Sequence, residues 1–461
     1  MHWLDIDADL ARDSYYARTS PWPLVASEPA QPLDDLPVAD VLVIGGGLAG
    51  LSVAIELADR GRQVVLLEAV RVGAGASGRN GGQVLPGLAC DLEVIERQVG
   101  QQDAGRIWTM TLEALDVLAA RRERFCIDDE WQPGYLLLAD RSWRARKLKS
   151  LRRWVERMRQ VHGHAMTWLG PADLPAHIDS PRFVGGALDP LAGHLHPLKH
   201  VQGLARAARS LGVRIVEGCP VLRLQPGAPA VAHTPRGRLR ARHVVLAGNA
   251  ALHALCSDLG EARVVRADGS MAASPAARIM PVGTYVVTTP VLPPGLLDGL
   301  LPTRSAVCDS NFVLDYFRPT ADGRLMFGGG VSYSTRTPHR MAAGLQRRMA
   351  HTFPALAGTP VEHAWGGFVD ITQNRAPDFA RLGWPPHRGP VAPVYLLQGF
   401  SGHGLALTAL AGRLVAEALC GDSERFDVLA RLQHRPFPGG AWLRTPALVL
   451  GMTWYRLRDL L

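Results

Sequence analysis

The chain has 461 residues, 47% of them hydrophobic and 20% charged, with 48 glycines and a formal net charge of +8. That length exceeds what one core usually serves, so two closely packed domains are expected, and no run of about eighteen apolar residues is present to form a membrane-spanning helix. The scattered Cys90, Cys126, Cys219, Cys256, Cys308 and Cys420 include no CxxC pair, which argues against a zinc site or disulfide framework and for reduced thiols.

The opening MHWLDIDADLARD is polar and acidic, unlike a secretory signal, so a cytoplasmic location is expected. Residues 1–37 are Pro-rich and irregular and read as an arm over the surface. From Ala39 to Glu68 the pattern changes to ADVLVIGGGLAGLSVAIELADRGRQVVLLE. An apolar run stops at Gly45-Gly46-Gly47. A helical pattern follows and ends at Gly61, and a second apolar run closes on an acid. This is the dinucleotide-binding βαβ unit. Gly45 permits the tight turn, Gly47 lets backbone approach a pyrophosphate, and Gly50 allows close helix–sheet packing. The helix N-terminus offers free N–H groups and a positive dipole end, and Glu68 stands where an acid accepts from a ribose diol. The unit does not choose between NAD and FAD.

A second glycine-dense stretch, RVGAGASGRNGGQ, follows from Arg71 to Gln83 and reads as a loop lying flat on the cofactor, with Ser77, Arg79, Asn80 and Gln83 as donors. A long helix is expected from about Ala104 to Phe125, then strands near Tyr135 to Leu138 and Val184 to Leu188. Between the two strands, Arg141 to Arg159 is rich in basic residues and carries Leu148, Leu151, Val155 and Met158 on helical spacing. It predicts an amphipathic helix with a solvated basic face, rather than a nucleic-acid or membrane contact. After His196 come a helix over Val201 to Leu211 and a short buried strand, His243 to Ala247, ending in small residues that let a cofactor approach. From Met280 to Phe327 strands dominate, with a turn at Ala321-Asp322-Gly323. A helix at Met341 to Thr352, a strand over 363–371, and the strand Val394 to Gln398 before a glycine turn and an apolar helix complete the pattern. The apolar, aromatic tail at 441–461 reads as core packing or an interface.

Three stretches, VGAGASGRNGGQ, VVLAGNA and GFSGHGLALTALAGRLVAE, resemble those of the D-amino-acid oxidase-like FAD-dependent oxidoreductases. Within that superfamily, SYYARTSPWP, GHLHPLKH, IMPVGTYVVTTP, VCDSNFVLDYFRP, RLMFGGG and HRPFPGG are similar to the γ-glutamylputrescine oxidase subfamily, so the likeness covers nearly the whole chain. The resemblance implies an α/β fold in which a discontinuous Rossmann-type FAD-binding domain (38–95, 194–265 and 394–430) is interleaved with an antiparallel β-sheet substrate domain (96–193 and 266–393), leaving a tail at 431–461. It implies non-covalent FAD. Gly45, Gly47, Leu48, Ala49 and Gly50 would meet the pyrophosphate, and Glu68 and Ala69 the ribose. Ser77, Arg79, Asn80, Gly81, Gly82 and Gln83 would face the flavin, with Val221 near the adenine. Ala247, Gly248, Asn249, Gly399, Gly402, His403 and Gly404 would complete the site.

The implied reaction is oxidation of an amine C–N bond by hydride transfer to flavin N5, imine hydrolysis, and reoxidation by O₂ to H₂O₂ or by another acceptor. His403, Tyr285 and Trp365 are expected at the chemistry, with Asp309, Asn311 and Tyr316 as further pocket residues. Amino-acid oxidases of the family clamp a carboxylate with arginine in the stretch that here reads AWGGFVDITQNRAP. Phe368 to Asp370 occupies the early arginine position and Arg375 lies nearby, which leans toward an amine without an α-carboxylate. The alternatives are an amino-acid dehydrogenase passing electrons to a quinone, an NAD-dependent dehydrogenase on the same βαβ unit, and a non-catalytic module using the basic helix.

Overall fold

The computed structural model describes residues 10, 13–21, 32–141, 145–266, 269–311, 314–332, 340–385, 387 and 389–437. They form two nine-stranded sheets. In the first, Ala39–Ile44 is central, with Val64–Leu67 and then Arg214–Val216 on one side and Gly237–Leu246 and then Val394–Gln398 on the other, all parallel. Such strands must be apolar on both faces, because helices or further strands cover both. Val41 and Val43 point into the core beneath the helices, while Leu42 and Ile44 point into a second core on the opposite face.

The glycine turn works by close contact. Gly45 adopts φ +114°, and a Cβ on Gly50 would stand 1.9 Å from the Gly45 carbonyl oxygen. The helix Leu48–Asp59 can therefore start hard against the strand only with glycine there. The same helix packs on the C-terminal helix Gly404–Leu419, where a Cβ on Gly412 would lie 2.4 Å from the Ser52 carbonyl carbon. Arg121 joins this packing from the helix Leu92–Arg124. It donates to Ser52 Oγ at 2.9 Å and to Glu56 Oε1 at 2.8 Å, and both ion-pair partners are buried. These two helices of the nucleotide fold are thus one packed unit despite about 350 intervening residues.

The second sheet runs His363–Thr372, Ile279–Thr288, Leu325–Ser332, Asp315–Pro319, Ala306–Asp309, Gln132–Asp140, Phe183–His194 and Gln83–Val84. Its pairings are antiparallel except for that between Ala306–Asp309 and Gln132–Asp140. Buried Arg182 binds three carboxylates, of Asp140, Asp309 and Asp315, and so clamps three strands together.

Several expectations change. The helix expected at Ala104 to Phe125 is preceded by a further helical segment within Leu92–Arg124, and the two meet at a kink where Gly100 leaves helical geometry at φ +81°. Residues 378–383, for which no strand was expected, form Asp378–Gly383, which pairs with Val394–Gln398 in the first sheet, and Gln83–Val84 from the cofactor loop joins the second. The arm is not wholly superficial. Tyr15–Thr19 is helical, with the Tyr15 and Tyr16 rings buried and their hydroxyls satisfied by Asp322 Oδ1 and the Asn80 carbonyl, each at 2.8 Å. Of the tail, 438–461 lies outside the described residues. Among the described residues no helix is long and apolar enough to cross a membrane.

Because Gly412 meets backbone rather than a movable side chain, Gly412→Ala is expected to push the two helices apart and destabilise the fold by about 1–3 kcal/mol in chemical denaturation. Unchanged stability would show that this contact is not limiting.

Candidate active site

The two sheets enclose a cavity of about 660 Å³. One end is walled by Gly47, Leu48 and Ala49 at the start of the first helix, by Ser77, Arg79, Asn80, Gly81 and Gln83 of the glycine-dense loop, and by Gly402, His403 and Gly404 before the last helix. Ala247 and Asn249, at the end of Gly237–Leu246, also reach it. Segments from both ends of the sequence therefore converge on one space.

The loop is built to hold its shape while presenting polar groups. Asn80 donates through Nδ2 to the Ala76 and Ser77 carbonyls at 3.1 and 3.0 Å and accepts the Gly82 N–H through Oδ1 at 2.8 Å. Ser77 Oγ accepts the Leu48 N–H at 3.0 Å, and a Cβ on Gly47 would come within 2.7 Å of it. Gln83 Nε2 donates to the Val307 carbonyl at 2.9 Å and ties the loop to the second sheet. Glu68 ends its strand with Oε2 accepting the Gly46 N–H at 2.7 Å and Oε1 the Val70 N–H at 2.8 Å. Burial pushes its carboxyl up, and those two amides oppose the shift.

Not every expected residue touches the cavity. Gly45, Gly50, Glu68, Ala69, Gly82, Val221, Gly248 and Gly399 lie off its wall. Gly45 and Gly50 act through packing, and Val221 is a core residue of the outer face of the first sheet. Two of the residues expected at the chemistry, Tyr285 and Trp365, lie off the cavity wall. Thr284 lines the cavity, and strand alternation turns the next residue, Tyr285, into the core behind the sheet, where it packs on Gly366. Trp365 is buried beneath the loop, donating Nε1–H to the Arg79 carbonyl at 3.0 Å and meeting Tyr16 edge-on. It shapes the loop from behind.

His403 does line the cavity. Burial and the charge of nearby Arg375 push its imidazole down to about 4, so it is neutral at pH 7. It sits at the N-terminal end of Gly404–Leu419, and its side chain makes no capping bond there. Asp309, Asn311 and Tyr316 also reach the wall. Asp309 is committed to Arg182 at 2.5 Å, however, and the Tyr316 ring is wedged where Cβ atoms on Gly81 or Gly328 would be 2.6 and 2.2 Å away. Burial raises the Tyr316 phenol, which stays protonated.

Sequence reasoning passed over Asp370 as a site residue. It lines the cavity on the edge strand His363–Thr372, and its carboxylate accepts the Gly399 N–H at 2.5 Å. Its own carbonyl accepts the Ser401 N–H at 3.1 Å. These bonds hold a turn in which Gly399, Ser401 and Gly402 all have positive φ, of 73°, 52° and 91°. The cavity is also walled by Trp108, Trp154, Met158, His164, Met166 and Asp189, none of which the sequence marked as a site residue. His164 Nε2 lies 2.8 Å from Asp189 Oδ2.

The residues present fit a bound dinucleotide. Asn249 Oδ1 is buried at the cavity with no protein partner, and Gly47, Ala49, Ala76 and Gly81 line the wall with small residues. A βαβ cleft closed by a second sheet defines a dinucleotide-binding protein. The comparisons specify it. The family model of the FAD-dependent oxidoreductases matches residues 40–418, and the chain belongs to that family. It is 38% identical over 446 residues to the gamma-glutamylputrescine oxidoreductase of Escherichia coli K12, covering 97% of this chain and 98% of that one. In fold it is similar to glycine oxidase from Geobacillus kaustophilus (TM-score 0.65, 23% identity, 83% of this chain and 95% of that one). It is also similar to L-proline dehydrogenase from P. horikoshii (TM-score 0.66, 21% identity, 84% and 96%).

Burial, with the negative charge of Asp378 adding to it, pushes the Asp370 carboxyl up to about 7, against the Gly399 amide. The protonated form is thus favoured by folding. Its stabilising contribution is complete below about pH 4 and is lost as pH rises through about 7. Asp370→Asn, which stays neutral, should match the wild type in melting temperature at about pH 4, gain on it progressively to about pH 7, and hold that gain above it. A deficit independent of pH would contradict this account of the carboxyl.

Proposed function

We propose that the protein oxidises a C–N bond of an amine of the γ-glutamylputrescine type, that is, a polyamine derivative or other secondary amine. The imine is then hydrolysed, and reoxidation by O₂ yields H₂O₂. The observation that carries this reading is the 38% identity to the E. coli gamma-glutamylputrescine oxidoreductase, extending over nearly all of both chains. The matching division of labour is a FAD-binding domain on the first sheet and a substrate domain on the second.

FAD supplies the hydride acceptor when bound. Gly47, Leu48, Ala49, Ser77, Arg79, Asn80, Gly81, Asn249 and the Gly402–Gly404 turn would hold it. The positive end of the Gly404–Leu419 helix favours negative charge at that turn, and neutral His403 offers a hydrogen bond there without adding charge. Thr284, Tyr316 and the Gly367 backbone form the apolar and polar wall that excludes water and positions the substrate carbon. Non-covalent attachment is supported by the cavity thiols. Burial raises Cys308, and burial with Asp91 pushes Cys90 up to about 12, so neither is a thiolate nucleophile at pH 7. The expected partners are a small-molecule amine and O₂ or another acceptor, with no nucleic acid. A cytoplasmic location is supported by the dispersed cysteines.

One observation favours a second reading, an amino-acid dehydrogenase delivering electrons to a quinone or other acceptor. Arg375 lines the cavity near His403, where it could meet a carboxylate. A panel of γ-glutamylated amines, free polyamines and amino acids, read out in parallel by peroxide release and by dye reduction, separates the two. The leading reading expects peroxide with the glutamylated amines. Dye reduction without peroxide, confined to amino acids, would replace it by the second.

A further inference from the structure

Behind the glycine-dense loop, four successive carbonyls, from Arg79 to Gly82, are each taken by a donor from outside the cavity. Trp365 Nε1–H donates to the Arg79 carbonyl at 3.0 Å, and the Tyr16 hydroxyl to that of Asn80 at 2.8 Å. Arg318 Nε donates to the Gly81 carbonyl at 2.7 Å, and the Leu195 N–H to that of Gly82 at 2.8 Å. Trp365, Tyr16, Arg318 and Leu195 all lie off the cavity wall, whereas Arg79, Asn80 and Gly81 line it. These peptides are trans, so each N–H points opposite to the carbonyl it is bonded through. With the carbonyls drawn back, the Asn80 and Gly81 amides are turned to the side on which those residues meet the cavity. The next amide, of Gly82, is closed by Asn80 Oδ1.

The three side-chain donors form one buried cluster. The Tyr16 ring meets Trp365 edge-on at 5.2 Å, and Arg318 Nη2 donates to the Tyr16 hydroxyl at 3.1 Å. Among the described residues the partners of Arg318 are neutral, since besides Gly81 and Tyr16 they are the Pro319 carbonyl at 3.1 Å and His194 Nδ1 at 3.5 Å. Burial, with the charge of Arg318 adding to it, pushes His194 and His196 down to about 3, so both are neutral at pH 7. One guanidinium charge, 3% exposed, therefore stands behind the loop. A hydrogen bond accepted by a carbonyl polarises its peptide and strengthens the N–H on the other side.

We propose that Tyr16, Trp365 and Arg318 are positioning residues for the flavin, which hold the loop carbonyls back so that the Asn80 and Gly81 amides face bound FAD and stabilise the negative charge of its reduced form. The inference rests on the assignment of FAD to this cavity and not on the identity of the amine. It gives the N-terminal arm a part in the redox step through a single hydroxyl. Without that hydroxyl the Asn80 carbonyl is left buried and unpaired, or its peptide turns and brings the negative end toward the flavin. Either outcome makes reduction less favourable.

The test is the midpoint potential of FAD bound to the wild type, Tyr16→Phe and Trp365→Phe, measured by equilibration with reference dyes, with melting temperatures alongside. Tyr15→Phe is the control, because that neighbouring hydroxyl on the same buried arm helix bonds to Asp322 and not to the loop. Tyr16→Phe should make reduction about fivefold less favourable, a fall of ~20 mV for a two-electron couple. Trp365→Phe should shift the potential in the same direction. Tyr15→Phe should lower the melting temperature as Tyr16→Phe does and leave the potential at the wild-type value. An unchanged potential in Tyr16→Phe, or an equal fall in Tyr15→Phe, would overturn the assignment and leave the cluster as packing support alone. Wild-type protein that takes up no FAD would instead overturn the cofactor assignment on which the inference rests.

Discussion

The arrangement depends on two backbone contacts that tolerate no side chain. Gly50 meets the Gly45 carbonyl, and Gly412 meets the backbone of Ser52. The first places a helix N-terminus at the end of the central strand, where its free N–H groups can face phosphates. The second brings the C-terminal helix, with the Gly402–Gly404 turn at its start, against that same helix. If either contact were wider, the two ends of the chain would hold different places, and no single cofactor could bridge them.

Around these contacts, buried charge serves placement. Arg121 with Glu56 and Ser52 fixes two helices in register, and Arg182 with Asp140, Asp309 and Asp315 does the same for the second sheet. Such groups contribute little net stability over an apolar core, but they penalise any packing that leaves one of them unpaired. Asp370 plays a comparable part at smaller scale, holding a turn of left-handed residues that positions His403. Burial raises its carboxyl, which ties this turn to pH.

Much of the site was legible because its signals are local. The βαβ unit combines a period change, three glycines and a terminal acid within 30 residues, and VGAGASGRNGGQ and GFSGHG are compositions that regular elements avoid. What was not legible depends on direction and distance. Tyr285 and Trp365 lie on the expected strands, but alternation turns one away and a loop covers the other. Tyr16 looked superficial because the bond that buries it is made to Asn80, 64 residues further on. The basic helix showed its amphipathicity in sequence, yet nothing local could tell that Trp154 and Met158 would face a cavity. Asp378–Gly383 joined the first sheet because its partner strand follows it, a pairing that composition does not encode.

The central claim is that one cofactor, held by both ends of the chain, accepts hydride from an amine in this cavity. Anaerobic titration of the purified protein with γ-glutamylputrescine, followed by the flavin band near ~450 nm, tests it most directly. The account predicts yellow protein whose band bleaches with about one equivalent of amine and returns when air is admitted. Colourless protein that takes up no FAD, or bound flavin that no amine bleaches, would contradict it.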